Sequence, residues 1–166
     1  MGDLKEKKGF TLIELLAVIV ILAIVTVIGA TTVLPYIRNA KESAFADEVH
    51  YVIEAASNAI NLKNLHQIDN DNFTSTTSND ITTYCITIEK LVDLGLWTKD
   101  ASAIYNATSN ATGKYKGKVL ISEAGEGYSY SVSMTSGDYY VKDFGSTNTV
   151  DDVASSEPSG ISYTCS

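Results

Sequence analysis

A single acidic residue, Glu14, lies inside an otherwise apolar stretch that covers residues 10–34. An ionised carboxylate at the centre of a membrane helix costs about 2.5–3.5 kcal/mol on insertion scales, so such a residue normally pairs with a positive group or marks a functional site. The sequence therefore predicts a cationic partner for Glu14. The alternative is an acid that lies near the membrane interface with no partner.

Other residues suited to catalysis or metal binding are few and scattered. His50 on the solvated side of a helix and His66 in a loop are the only histidines, and neither has a recognisable triad or metal partner. Cys85 and Cys165 are far apart and lack CxxC spacing, so a zinc site has no support. One disulfide and two unpaired thiols are the alternatives. The sequence predicts no enzyme, no cofactor and no metal site.

Residues 10–34 form the element that must position Glu14. A helix of this length spans roughly 37 Å at about 1.5 Å per residue, which exceeds a hydrocarbon core of about 30 Å. Lys7 and Lys8 lie just before it and favour keeping that end in the cytoplasm, so everything after the helix is exported. An ordinary secretory signal has its small-residue cleavage site after the apolar region, whereas Gly9 precedes it. Cleavage at Gly9 would leave the anchor attached.

The sequence KKGFTLIELLAVIVILAIV resembles the N-terminus of type IV prepilins and of their relatives, the pseudopilins of type II secretion. The shared features are a short basic leader at residues 1–9, Gly9 before Phe10, the FTLIE segment with Glu14, and the apolar helix. In that family a membrane aspartyl peptidase cuts after the glycine and methylates the new amino terminus. The resemblance therefore implies cleavage and N-methylation at Gly9 and Phe10. These motif residues cover only the first quarter of the chain.

The resemblance also implies a role in subunit assembly for Glu14 and Phe10. Cleavage places a cationic amine on Phe10 one helical turn from Glu14, and between neighbouring chains this pair would fix the register of packed helices. The implied partners are prepilin peptidase, other pilin subunits in a homopolymeric filament, the cytoplasmic membrane before assembly, and an assembly platform protein. The implied location is the cytoplasmic membrane for the precursor, with the leader in the cytoplasm and the head outside, and then an extracellular pilus.

The helix is predicted to continue through residues 35–65 as an amphipathic helix of the head. Apolar residues recur there every three or four positions, namely Phe45, Val49, Val52, Ile53, Ala56, Ala59 and Ile60. The opposite side is polar and is expected to be solvated, with Lys41, Glu42, Asp47, Glu48, Glu54, Asn58 and Lys63. Pro35 lacks the amide hydrogen that a helix interior needs, and Gly29 weakens the same region, so we expect a helix kink there. This zone of the chain resembles a segment of pilins that loses its helical structure on assembly.

Residues 66–166 are predicted to form a globular head. Residues 66–83 are polar and without periodicity, which is typical of a surface loop. A short helix is expected at about residues 88–94, followed by three strand-like runs, YKGKVLIS, GYSYSVSMT and DYYVKDF. The middle run alternates strictly, with one face packed and the other exposed to water. The predicted fold is α+β, a long N-terminal helix packed against a small antiparallel sheet of about three strands, which is the architecture of pilin heads.

The last 22 residues are polar, and we expect them to be poorly ordered unless contacts with the rest of the head fix them. In pilins a disulfide often closes this loop, although the two cysteines usually enclose a shorter segment than Cys85 and Cys165 do. Asp151, Asp152 and Glu157 resemble the calcium-binding C-terminal loops of some pseudopilins, but a solvated acidic loop is the favoured interpretation.

A formal net charge of −8 argues against a nucleic-acid partner. The favoured function is a type IV pilin subunit, a structural protein assembled into a cell-surface filament for adhesion, motility or aggregation. Two alternatives stay open, namely a type II secretion pseudopilin and a non-polymerising single-pass surface protein that binds a ligand through its head.

Overall fold

A computed structural model describes residues 10–99, 103–106, 111–125 and 127–165. The chain forms two units, Met1–Lys41 and Glu42–Ser166. The predicted leader, including Gly9, lies outside the described residues.

Helix α1, Leu12–Asn64, provides the long N-terminal helix that the sequence predicts. In the second unit its apolar stripe is buried as expected, and Val49, Val52, Ala56 and Ile60 are fully covered. Pro35 lies inside the helix, which is continuous through it. The kink at Pro35 and Gly29 stays a prediction.

A five-stranded antiparallel sheet packs against this helix. Its strands are β1 (Thr74–Ser78), β2 (Ile81–Thr87), β5 (Lys116–Ala124), β6 (Gly127–Thr135) and β7 (Tyr140–Phe144), and they lie side by side in the order β1-β2-β5-β6-β7. The α+β class and the antiparallel packing are confirmed, but the expected strand number of about three was too low. The two additional strands, β1 and β2, lie largely in the segment that the sequence analysis assigned to a loop.

The β1–β2 hairpin escapes a search for hydrophobic alternation because β1 is an edge strand whose five residues, TSTTS, are all exposed. The strands pair from Thr74 opposite Cys85 to Ser78 opposite Ile81, which leaves Asn79 and Asp80 as a two-residue turn. Both turn residues have positive φ, 50° and 61°. Asn and Asp tolerate this left-handed conformation better than most residues, so they are suited to a tight hairpin.

Helix α2, Ile88–Asp93, lies between β2 and β5 and confirms the expected short helix to within one residue. The Thr87 side chain accepts a hydrogen bond from the backbone amide of Lys90, which caps the helix start. Gly95 follows the helix end with φ +70°. A separate two-stranded sheet consists of β3 (Tyr105–Asn106) and β4 (Ala111–Thr112).

The predicted alternation of buried and exposed side chains along β6 is correct for the buried side and fails for the side that was expected to face water. Val132 and Met134 are fully buried, as predicted, but Ser133 and Thr135 are buried as well, 6% and 1% exposed. Ser133 accepts a hydrogen bond from the amide of Asp143, and the Thr135 hydroxyl donates to the carbonyl of Tyr139. The end of β6 is therefore covered on both faces, and its polar groups are hydrogen-bonded as burial requires.

The C-terminal segment is tied to the sheet at several points. Ala154 exchanges two backbone hydrogen bonds of 2.8 Å with Tyr140, and Cys165 forms a disulfide with Cys85. Between these points the ammonium group of Lys142 donates to the Ser159 carbonyl (3.1 Å). The polar tail is thus held along much of its length.

Candidate functional site

The start of α1 is closed by a capping box between Thr11 and Glu14. The backbone amide and the hydroxyl of Thr11 both donate to Oε2 of Glu14, at 2.8 and 2.9 Å. In return the Glu14 amide donates to the Thr11 hydroxyl at 3.3 Å. Reciprocal bonds of this kind satisfy amides that a helix start otherwise leaves without partners.

This capping box was not predicted, although its signal is present in the sequence. A Thr followed three residues later by Glu, before an apolar run, is the standard pattern of a capping box, and TLIE fits it. The first partner of the Glu14 carboxylate is therefore Thr11 of the same chain. The predicted partner, an amine on Phe10, remains a prediction. Phe10 directly precedes the box and is 88% exposed.

Beyond the box the first unit presents a continuous apolar helical surface. The large apolar side chains from Leu12 to Ile37 are about half exposed or more, with Leu12 at 84% and Ile37 at 47%. Among the described residues, α1 is the one helix long and apolar enough to cross a membrane. The large apolar side chains that the structure describes in this unit are not buried within the chain, and an exposed apolar patch of this extent marks a surface for another apolar partner.

Two hydroxyl groups within this surface are bonded to the helix itself. Thr26 donates to the carbonyl of Leu22, and Thr32 donates to the carbonyl of Ile28 at 2.9 Å. Polar groups in hydrocarbon must be satisfied internally, and these bonds do so. A Cβ added at Gly29 would meet no atom within 4 Å, so packing within this chain does not require a glycine there.

An ion pair in the second unit corrects the assignment of Glu48 to the solvated side of the helix. Its Oε1 lies 2.6 Å from Nζ of Lys99, and both side chains are partly buried. Desolvation lowers the pKa of Lys99, but hydrogen bonds to Glu48 and Tyr115 outweigh it, so the pKa lies above its ordinary value. Burial raises the pKa of Tyr115, and hydrogen bonding to Glu48 adds to the effect.

The histidine predicted on the solvated side is also partly buried. Nε2 of His50 lies 3.2 Å from the carbonyl oxygen of Asn148, and its ring packs edge-on against Phe144 at 5.2 Å. His50 therefore helps to hold the C-terminal segment on α1, which is a structural role.

The acidic residues of the C-terminal segment have local structural partners. Asp152 accepts a hydrogen bond from the Thr149 amide at 2.9 Å, which lowers the pKa of Asp152. Glu157 accepts one from the Tyr163 hydroxyl at 2.9 Å. Burial, and then this hydrogen bond, raises the pKa of Tyr163. Within the described parts of the chain, no three His, Cys, Asp or Glu residues are grouped so that they could hold a metal ion.

Comparison with known families identifies one match. Residues 4–30 match the prokaryotic N-terminal methylation motif, the leader signature of type IV prepilins and pseudopilins. No curated protein and no solved structure matches the chain. The signature implies processing by a prepilin peptidase, and together with the apolar helix it fits a membrane-anchored precursor.

Proposed function

We propose, from the methylation motif at residues 4–30, that this chain is a type IV pilin subunit that polymerises through α1 into an extracellular filament. Prepilin peptidase cuts between Gly9 and Phe10 and methylates the new amine. The exposed apolar part of α1 first lies in the cytoplasmic membrane and then in the filament core, where other copies cover it. The chain itself catalyses nothing, and an assembly platform supplies the machinery of extension.

The observation that carries this proposal is the combination of an exposed apolar helix with Glu14 at its start. In a membrane alone the helix would be covered, and the carboxylate of Glu14 would serve only the capping box with Thr11. Packing against copies of the same helix gives the carboxylate a use, because a buried acid binds a neighbouring amine most favourably at one axial offset. Glu14 and Phe10 thereby set the register of assembly.

The capping box supports this assignment of roles. Both hydrogen bonds from Thr11 end on Oε2 of Glu14, so the side chain is held in one conformation before any second copy arrives. A preorganised group loses less conformational entropy on binding than a mobile one does. The amine of a neighbouring Phe10 then approaches a carboxylate whose position is already set.

The pilin assignment is favoured over a pseudopilin by the second unit. On the pseudopilin interpretation, a calcium site among the acids of the C-terminal loop is the more frequent arrangement. Here Asp152 caps a turn and Glu157 accepts a hydrogen bond from Tyr163. The head is a disulfide-linked domain with local uses for these acids, which suits an exposed filament surface.

Electron microscopy of sheared surface filaments, with this chain identified in them by mass, tests the proposal. The Glu14→Ala variant should be inserted and processed normally but should form no filaments, because the assembling amine has no carboxylate to meet. Glu54→Ala is the matched control, since Glu54 is an exposed acid on the same helix outside the apolar run. Normal filaments from Glu14→Ala would remove the assembly role.

A further inference from the structure

The helix segment that follows the apolar run, residues 36–41 with sequence YIRNAK, has a composition unlike the rest of the first unit. All six side chains are exposed, and Tyr36 is 76% exposed. Between residues 10 and 41 the only charged residues are Glu14, Arg38 and Lys41. Both cations therefore lie in this segment, directly beyond the last apolar turns.

The position of the segment along α1 matches the headgroup layer of a bilayer. Residues 10–34 span roughly 37 Å against a hydrocarbon core of about 30 Å, so the end of the apolar run reaches the outer interface. The next six residues add about 9 Å of helix, comparable to the thickness of one headgroup region. Tyrosine is enriched at this depth because its ring is apolar and its hydroxyl is polar.

The two cations lie on the same side of the helix. Arg38 and Lys41 are three residues apart, which makes them neighbours on a helical surface. Arginine binds phosphate through paired N–H donors, and lysine adds a mobile point charge. Their long side chains also extend readily from an apolar stem to a charged layer. This pair fits the phosphates of anionic phospholipids.

The charge of the second unit leaves this segment as the main basic feature on the head side of the apolar run, opposite the lysines of the leader. Residues 42–166 carry seven lysines, no arginine and seventeen aspartates or glutamates. An anionic surface repels such a unit and attracts the dibasic segment. The first acid after the pair is Glu42, which begins that acidic region.

We propose that Tyr36, Arg38 and Lys41 form an interfacial anchor that binds anionic phospholipid headgroups at the outer face of the membrane and fixes the depth of α1 before assembly. The inference rests on the membrane stage of the proposed function and adds a lipid class to it. The anchor holds the subunit at one height, so Glu14 of every membrane-bound copy lies at the same depth.

Lipid selectivity measured at the segment tests the proposal. The full-length Asn39→Cys chain carries an environment-sensitive fluorophore at that position and is reconstituted into phosphatidylcholine vesicles with phosphatidylglycerol. A chain without the added cysteine should take up no label, since Cys85 and Cys165 are bonded. Quenching is compared between spin-labelled phosphatidylglycerol and phosphatidylcholine that carry the spin label at the same acyl position.

We expect phosphatidylglycerol to be preferred beside residue 39 by about fivefold for each contacting cation, and added salt should reduce this preference. Arg38→Gln with Lys41→Gln should bring the preference close to one. The matched control, Lys90→Gln with Lys114→Gln, removes two exposed lysines of the second unit and should leave the preference unchanged.

Equal quenching by the two lipids in the unaltered chain would overturn the anchor, as would a preference that survives the Arg38→Gln and Lys41→Gln changes. If those variants lose filaments although the unaltered chain shows no lipid preference, the two cations contact other subunits and the lipid anchor is wrong. The outcome of this lipid test can be distinguished from the outcome of the filament test. A lipid preference in the vesicles, together with no filaments on cells that make the unaltered chain, supports the anchor and contradicts polymerisation.

Discussion

At the residue scale, the carboxylate of Glu14 has a structural role in α1 and a proposed role in assembly. In the isolated chain it caps α1 through Thr11, with bonds of 2.8 and 2.9 Å to a single oxygen. In the proposed filament it also binds the amine of a neighbour. The two uses are compatible because a carboxylate accepts several hydrogen bonds at once.

Thr11→Val tests the capping stage, because valine keeps the shape of threonine but has no hydroxyl. We expect the helix start to lose about 0.5–2 kcal/mol. In detergent micelles, amide hydrogen exchange at residues 12–15 should accelerate accordingly. Thr26→Val is the control, since that hydroxyl bonds to a carbonyl in the middle of the helix. Unchanged exchange at residues 12–15 in Thr11→Val would show that the box does not stabilise the helix.

The second residue-scale prediction concerns the ion pair between Glu48 and Lys99, which joins α1 to the segment after α2. Glu48→Gln leaves Lys99 desolvated without its anion, so the pKa of Lys99 should fall. The free energy of unfolding should decrease by about 1–2 kcal/mol, because a hydrogen bond to a charged group is lost in a partly exposed site.

Urea denaturation followed by the fluorescence of Trp97, which is only 7% exposed, measures this loss. Glu54→Gln is the control, and this exposed substitution should change the unfolding free energy by less than about 0.5 kcal/mol. Equal midpoints for Glu48→Gln and the unaltered protein would contradict a stabilising role for the pair.

At the element scale, the sequence predicts those elements whose hydrophobic period is clear. The stripe of α1 and the alternation of β6 gave the helix, the antiparallel sheet and most of the core, including Val49, Val132 and Met134. The edge strand β1 has no such period because it buries no side chain. Burial of Glu48 and Ser133 depends on which segments pack over them, and a local pattern does not contain that information.

The candidate site was predictable to a similar extent. The leader, Gly9, Phe10 and Glu14 could be proposed from the sequence, because the motif lies along one continuous segment, and their roles stay predictions. The capping box at Thr11 was readable from TLIE as well. For Cys85 and Cys165 the sequence left a disulfide and two free thiols as alternatives, because the bond depends on where a polar tail of irregular structure runs across the sheet. The structure has the disulfide.

The tail supplies the element-scale prediction. The disulfide closes a sequence separation of 80 residues, so Cys165→Ser should cost about 4 kcal/mol of unfolding free energy in the chain-entropy model. Thiol titration of the denatured, unreduced protein should find no free thiol, and urea denaturation gives the energy. Ser162→Ala, a change in the same segment, should leave stability nearly unaltered. Two reactive thiols per chain would exclude the bond.

At the scale of the whole molecule, charge and hydrophobicity are divided along the chain. The first unit carries the exposed apolar helix, and the second carries most of the acids around a buried core. A chain built in this way needs a partner for the first unit in every state that it occupies. We propose that the membrane covers this helix in the precursor and that other copies of α1 cover it in the filament, with processing at Gly9 as the step between the two states.

The mass of the N-terminal peptide of the protein recovered from cell-surface filaments tests this claim most directly. The account predicts a peptide that begins at Phe10 and carries one additional methyl group on its amine, because that cation is the partner of Glu14. A peptide that still begins at Met1 would leave Glu14 without its intermolecular partner and would contradict assembly through this pair.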